Sequence, residues 1–249
     1  MCDGRLVAWN CRSAFHRKVD VLMRLNPDIA IVAECANLQL LFRRTPGTFE
    51  PASAVWVGSA NPHKGLGVFA FGNYRLSRHE RYDPRITFAV PLRVDGPMSL
   101  HLVAIWAHYG LEPLRKSTLG PTLRALSTYR QFLRERTSIV AGDFNNHVRW
   151  DRPGKAWSHA RAVAAFGRLG LVSAYHAFED VDQGAERHPT FYWRTRSALG
   201  PTTYHIDYAF IPRMSLAQLR SVRIGTWADW IAPGLSDHAP IILDLDPSD

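Results

Sequence analysis

Asp143 and Asn145 stand two residues apart directly after the apolar run Ile139-Val140-Ala141-Gly142. One is an anionic acceptor and the other a neutral amide that both donates and accepts. In an extended continuation their shared parity points both side chains the same way. An apolar run rich in β-branched residues reads as a buried strand, which Gly142 lets turn out of the sheet. Polar groups just past strand ends are where open α/β architectures gather a ligand. Ordinary turn chemistry, in which Asp and Asn bond their own backbone, accounts for the same pair. Other polar residues stand in similar places: Asn10 after Arg5 to Trp9, Glu34 after Ile29 to Ala33, and His108 after Leu100 to Ala107. A carboxylate right behind five apolar residues, as at Glu34, is unfavourable unless something pairs with it. Asp207 interrupts the apolar run Tyr204 to Ile211, and Asp237-His238 directly precedes Ile241 to Leu245. A buried Asp beside a histidine raises the imidazole's pKa and holds its orientation. Taken singly, each has a bland account: Asn10 as a turn residue, Glu34 as an ion-pair partner, His108 as a satisfied loop histidine, Asp237 as a cap.

The elements that must position these groups follow from periodicity. Phe15, Val19, Leu22 and Leu25 recur at helical spacing between the first two strands, and Asn26-Pro27 ends that helix, so a strand, helix, strand crossover places Asn10 and Glu34 at the same end of a sheet. Short apolar runs at Ala54 to Val57, Leu66 to Phe71, Ile86 to Leu92 and Leu100 to Ala107 alternate with turn signals and predict hairpins, hence a mixed sheet. Pro121 opens a predicted helix carrying Leu123, Leu126, Phe132 and Leu133. Ala160 to Leu169 reads as another, with Val163, Phe166 and Leu169 inward. Further strands are expected at Thr190 to Trp193, Tyr204 to Ile211, Val222 to Gly225 and Ile241 to Leu245. Arg75, Arg78, Arg81 and Arg85 form a basic cluster whose simplest account is a solvated face.

No apolar stretch approaches the roughly 20 residues of a membrane span. The N-terminus enters a strand at once, so a cytoplasmic protein is expected, without a membrane partner. Of the cysteines, Cys11 and Cys35 are expected to be small buried hydrophobes; three cysteines make neither a disulfide framework nor a closed zinc site. The 249 residues carry 30 Lys+Arg against 22 Asp+Glu, a formal charge of +8, and the basic residues other than Lys18, Lys64, Lys116 and Lys155 are all Arg. Arginine suits bidentate phosphate recognition, and a basic balance suits a polyanionic partner. Codon usage in a GC-rich genome produces the same preference.

Taken in order, Trp9-Asn10, Ala33-Glu34, Ala107-His108, Gly142-Asp-Phe-Asn145, His205-Ile-Asp207-Tyr208 and Ser236-Asp-His-Ala-Pro240 span nearly the whole chain and resemble the endonuclease/exonuclease/phosphatase superfamily, whose fold is DNase I-like. That resemblance implies an α/β fold, a four-layer αββα sandwich of two mixed β-sheets flanked by helices, in a single domain over residues 1–249. It implies a hydrolase of phosphoesters in which Glu34 is the principal Mg²⁺ ligand, with Mn²⁺ a possible substitute, and Asn10 and Asp237 neighbour it in the metal shell, directly or through water. Asp143 would orient and deprotonate the attacking water, and Asn145 would hold a phosphate oxygen. His238, paired with Asp207, would stabilise the transition state's charge, and His108 would bind phosphate or protonate the leaving oxygen. Such roles match the reaction's needs: an in-line nucleophile, neutralised equatorial oxygens and a stabilised leaving alkoxide.

The superfamily's shared residues do not choose the phosphoester, because specificity lies in surrounding loops. The +8 charge, the arginine preference and the interleaving of Arg with aromatics at Arg149, Trp150, Arg152, Trp157 and Tyr192-Trp193-Arg194 favour nucleic acid, with DNA the expected partner. Arg149, Trp150 and Trp193 are accordingly candidate substrate contacts, with His205 and Tyr109 as secondary candidates. A phosphatase or phosphodiesterase for a small or lipid phosphoester and a non-catalytic nucleic-acid-binding module are the alternatives.

Overall fold

The computed structural model describes residues 4–86, 88–108, 119–154, 158–193 and 200–246. The first apolar runs form β1 (Gly4–Asn10) and β2 (Ile29–Cys35), which pair in parallel with Asn10 opposite Ala33. The crossover between them is a 3₁₀ turn (Phe15–Arg17) followed by α1 (Val19–Met23), in place of the single helix that the apolar spacing predicts. The cause lies in the backbone. Arg12, Ser13 and Ala14 take φ of 51°, 65° and 52°, so no helix can start before Phe15, and Lys18 leaves helical geometry between the two pieces. A helix not foreseen, α2 (Leu38–Arg44), follows β2 and is capped by the Asn37 side chain, which accepts from the Leu40 N–H.

Strands β3 (Ser53–Gly58) and β4 (Gly65–Ala70) extend that sheet beyond β2, and β14 (Ile241–Leu245) and β13 (Leu219–Ile224) extend it beyond β1, giving the order β13-β14-β1-β2-β4-β3. The second sheet is built the same way around another parallel pair, β7 (Leu100–Trp106) and β8 (Ser138–Asp143). With β5 (Arg75–Arg78), β6 (Ala89–Asp95), β12 (Asp207–Pro212) and β9 (Leu171–Ser173) its order is β5-β6-β7-β8-β12-β9. The connection from β7 to β8 holds α3 (Leu119–Thr128) and α4 (Phe132–Glu135) where one helix is predicted. The break follows Ser127-Thr128, whose side chains compete for backbone hydrogen bonds. α5 (His159–Arg168) matches its prediction and is capped by Ser158. α6 (Ala174–Glu179) and a two-stranded ribbon of β10 (Phe191–Trp193) and β11 (Thr202–Tyr204) complete the second half.

Side-chain alternation along the central strands explains the layering. Leu6, Ala8, Ile31, Leu102, Ala104, Ile139 and Ala141 face into one core between the two sheets. Val7, Trp9 and Val32 face outward beneath Phe15, Leu22 and Leu41, while Val103, Ile105 and Val140 face outward beneath Leu126, Phe132 and Phe166. Two mixed sheets packed face to face with helices outside are the four-layer sandwich that the resemblance implies. The Arg75 to Arg85 cluster lies on edge strand β5 and the loop after it, where Arg85 pairs with Asp83 at 2.8 Å and the Arg78 guanidinium lies 4.9 Å from the Tyr82 ring centre. Among the described residues no helix is long and apolar enough to cross a membrane.

Candidate active site

Both parallel pairs point their carboxyl ends the same way, and that shared end is where the polar residues meet. Asn10 closes β1 and Asp143 closes β8, and the packed sheets bring Asn10 Nδ2 to 2.9 Å from Asp143 Oδ2. Gly142 makes the last step of β8 possible. Its φ is +140°, and a Cβ there would stand 1.9 Å from the carbonyl oxygen of Ile105, so a side chain would push β8 away from β7 just before Asp143. Asn145, at φ 47°, then curls back: its backbone N–H donates to Asp143 Oδ1 at 2.8 Å and its side-chain amide to Oδ2 at 2.9 Å. Turn chemistry and site chemistry, alternatives in the sequence, are here the same hydrogen bonds.

Asp207 opens β12 directly opposite Asp143 in the antiparallel register. Its Oδ2 lies 2.9 Å from His238 Nδ1, and its Oδ1 is buried with no hydrogen-bond partner among the described residues. The predicted strand Tyr204 to Ile211 is interrupted at His205-Ile206 because Thr190 Oγ1 accepts the N–H groups of both Ile206 and Asp207, at 2.9 and 3.0 Å. The segment before β14 is stitched between the two sheets. Ser236 donates its hydroxyl to the Asn10 carbonyl at 2.7 Å and accepts the His238 N–H at 3.0 Å, and the Trp9 indole donates to the His238 carbonyl at 2.9 Å. Asp143, Asp207 and His238 offer ligand atoms all within 4.8 Å of one another, and all three residues are buried.

The electrostatics follow from that crowding. Burial, and then the Asp207 charge, raise the Asp143 carboxyl from its ordinary 3.8 to about 7. Burial by itself would lower His238, but the Asp207 and Asp143 carboxylates outweigh it and push the imidazole up from 6.5 to about 9. His238 is therefore an imidazolium at neutral pH, with Nδ1 committed to Asp207 and Nε2 left for a ligand.

Glu34 and Asp237 are less buried, each paired with a cation of its own. Glu34 sits in a bulge of β2 at φ 60°, a conformation rare outside glycine, and its carboxylate takes Lys64 at 2.7 Å and the Ser13 hydroxyl at 3.3 Å. Asp237 lies 3.6 Å from Arg12 Nε, while the Arg12 N–H donates to Asn10 Oδ1 at 2.9 Å. His108 stands exposed at the end of β7, its ring 4.7 Å from that of Trp106; partial burial and then Lys64 lower its pKa, with Glu34 opposing. This donor set suits a hard divalent cation. Glu34 and Asp237 are oxygen donors paired with the long side chains of Lys64 and Arg12, and among the described residues the buried group has a carboxylate oxygen without a hydrogen-bond partner.

The proposed substrate contacts lie farther out. Phe191, not foreseen, packs its ring 4.8 Å from that of His238 and faces Tyr204 across the β10–β11 ribbon, and the Trp150 ring lies 4.7 Å from Tyr204. Trp150 is 41% exposed and Trp193, two residues along the strand from Phe191, 48% exposed. Arg149 reaches away to the Gly184 carbonyl at 3.1 Å. His205 is buried and packs 4.4 Å from Tyr175, a core role. Lys64, Ser13 and Thr190 are not among the sequence candidates, and Ser236 enters only as part of the Ser236 to Pro240 motif; the loop Asn61 to Gly65 carries two basic side chains with no signal of which carboxylate they meet. Tyr109, Lys155, Trp157 and Arg194 lie outside the described residues.

No family model and no curated protein sequence matches the chain. Solved structures do. A 3′ phosphatase, NExo, from Neisseria bound to a product DNA hairpin superposes at TM-score 0.68 with 17% identity, covering 98% of this chain and 99% of that one. An AP endonuclease from Archaeoglobus fulgidus gives 0.66 at 17% identity over 98% and 99%. The endonuclease domain of TRAS1, a telomere-specific non-LTR retrotransposon, gives 0.62 at 17% identity over 99% and 100%. The chain thus shares the fold of these three structures over nearly its whole length.

Proposed function

We propose that this chain is a divalent-metal-dependent phosphodiesterase, most specifically a DNA endonuclease or repair-type nuclease. The observation that carries the reading is the pair of buried constellations, Asn10–Asp143–Asn145 and Asp207–His238, at the carboxyl ends of the strands of this fold.

In this reading Asp143 accepts the proton of the attacking water, and a carboxyl raised to about 7 suits a base working near neutrality. Asn10 and Asn145 hold that carboxylate in place through its Oδ2, and Asn145 binds a phosphoryl oxygen. Asp207 keeps His238 charged and oriented, and the His238 Nε2 donates to a non-bridging oxygen whose charge grows in the transition state. His108 serves the leaving oxygen. Glu34, with Asn10 and Asp237 beside it, would hold Mg²⁺ or Mn²⁺, which supplies Lewis-acid neutralisation of the phosphoryl oxygens. Lys64 and Arg12 neutralise those carboxylates otherwise.

A polyanionic substrate is favoured over a small phosphoester by a cavity of about 740 Å³ lined by Ser13, His16, Arg17, Ala36, Arg44 and His63. It adjoins Glu34 through Ser13, has no carboxylate in its lining among the described residues, and crowds its cations enough that burial followed by Arg44 and Arg17 lowers the His16 pKa. Such a site suits a second phosphate of the same strand, and the structural neighbours named for AP sites and a DNA hairpin are consistent with that. Changing Arg17 and Arg44 together to Ala is expected to weaken duplex binding at every sequence and to lower the slope of log affinity against log salt by about two. Hydrolysis of bis(p-nitrophenyl) phosphate should stay at the parental rate, and a loss on that small diester would remove the cavity from substrate binding.

The deciding experiment offers supercoiled plasmid, intact duplex, single strand, abasic-site duplex, a 3′-phosphorylated oligonucleotide and a free phosphomonoester, with Mg²⁺ or Mn²⁺ and with EDTA. Cleavage of a nucleic acid that EDTA abolishes is expected. Turnover of the free phosphomonoester alone would sink the nuclease reading.

A further inference from the structure

The catalytic roles above leave one buried carboxylate without a task. Glu186, between α6 and β10, has a side chain only 5% exposed, and among the described residues no Lys or Arg pairs with it. Its Oε2 lies 3.3 Å from His147 Nε2 and its Oε1 lies 3.1 Å from His176 Nε2, and the Gly184 N–H donates to Oε1 at 2.9 Å. Burial alone would raise this carboxyl; the donors overcome burial and hold it far below the usual range.

The His147 bond has a definite direction. His147 Nδ1 accepts the Arg149 N–H at 3.0 Å, so the proton of the neutral ring sits on Nε2 and is donated to Glu186. That leaves a proton rather than a lone pair facing the carboxylate, which argues against a metal ion in this cluster. His205 nearby adds no charge, because burial takes its imidazole down to about 3. His176 is tied in turn at Nδ1, 2.7 Å from the Ser173 hydroxyl at the start of α6.

The loop held this way is the one that Asn145 launches. His147 caps the 3₁₀ turn Val148–Trp150, and Arg149 Nη2 makes a second tie to the Gly184 carbonyl at 3.1 Å. We propose that Glu186 is a positioning residue that anchors residues 146–152 to α6, and so places Trp150, against Tyr204 of the ribbon that carries Phe191, as the substrate-side wall of the site, without touching a reacting atom. This rests on the phosphodiesterase reading.

Glu186→Gln keeps the size but leaves one acceptor for two imidazole donors. Hydrogen exchange of the amides at 146–152 is expected to quicken about tenfold or more, with β8 and β12 unchanged. KM for duplex DNA should rise about tenfold with kcat near parental, and the small diester should be unaffected. His147→Leu should behave like Glu186→Gln, whereas His147→Gln, whose amide can donate from the Nε2 position, should restore parental exchange and KM. If Glu186→Gln folds poorly, this second pair decides alone. Parental exchange in Glu186→Gln and His147→Leu, equal losses of kcat on both substrates, or no rescue by His147→Gln would overturn the anchoring. A parent protein that cleaves nothing in the panel overturns the phosphodiesterase reading instead, while the exchange measurement still decides the anchoring.

Discussion

Asp143→Asn should bind duplex DNA with close to parental affinity and cleave it about 10²- to 10³-fold more slowly, the usual effect of losing a preorganised electrostatic group. The chemical reason is that an amide cannot take the water's proton. The structural reason is that Asp143 receives three donors, from the Asn10 amide, the Asn145 amide and the Asn145 backbone, so an Asn there turns its own NH₂ toward at least one of them. Single-turnover cleavage with Mg²⁺ and binding without it separate the two quantities. The parent's rate should climb through about pH 7, where this carboxyl loses its proton, and the variant should lack that limb. Parental turnover by Asp143→Asn would refute the assignment of the base.

Asp207→Asn should have an effect of similar size, about 10²- to 10³-fold, but with a different pH signature. Burial works to discharge His238, and the Asp207 carboxylate at 2.9 Å is the main group opposing it. The parent should stay active until His238 loses its proton near pH 9. In Asp207→Asn that alkaline limb should move below neutrality, and the acid limb should fall too, because Asp207 also raises Asp143. An alkaline limb that stays at 9 would mean that another group carries it. Stability follows the same proton. His238 has a folded pKa above its ordinary 6.5, so its stabilising contribution is complete below 6.5 and lost as pH rises through about 9. Asp143 is also raised, so protonation favours the fold below 3.8 and that contribution is lost on rising through about 7. Both slopes run the same way, and the urea midpoint of the metal-free parent should be lower at pH 9.5 than at pH 6. Asp207→Asn should flatten the alkaline part of that change.

Much of this arrangement is legible in one dimension. Runs such as Ile139 to Ala141 are buried on both faces and read as central strands, and a carboxylate behind such a run requires a partner wherever the chain takes it. Glu34, Asp143 and Asp207 are found this way. What failed were helix boundaries and strand breaks governed by remote groups. The helix expected from Phe15 divides at Lys18, whose backbone leaves helical geometry and whose ammonium is tied to the Cys11 and Ser13 carbonyls, and the strand expected from Tyr204 breaks because Thr190, 16 and 17 positions earlier, claims two of its N–H groups. Phe191 read as a strand residue like its neighbours; only its isolated bridge to His238 puts it at the site.

By itself the amino-acid order determined which polar groups stand at the ends of apolar strands, whereas Asn145 meets Asp143 through a left-handed turn and not through the parity of extended chain. It determined the residue types, and hence the chemistry within reach. The tertiary structure alone decided the partners: Asn10 meets Asp143 across 133 positions and Asp207 meets His238 across 31. Lys64 falls to Glu34, and Ser236 ties His238 to the end of β1. The reason is one of range. Hydrophobic periodicity is summed over many residues and survives in sequence, whereas a hydrogen bond acts within about 3 Å and depends on how two sheets, each correctly patterned, are set against each other.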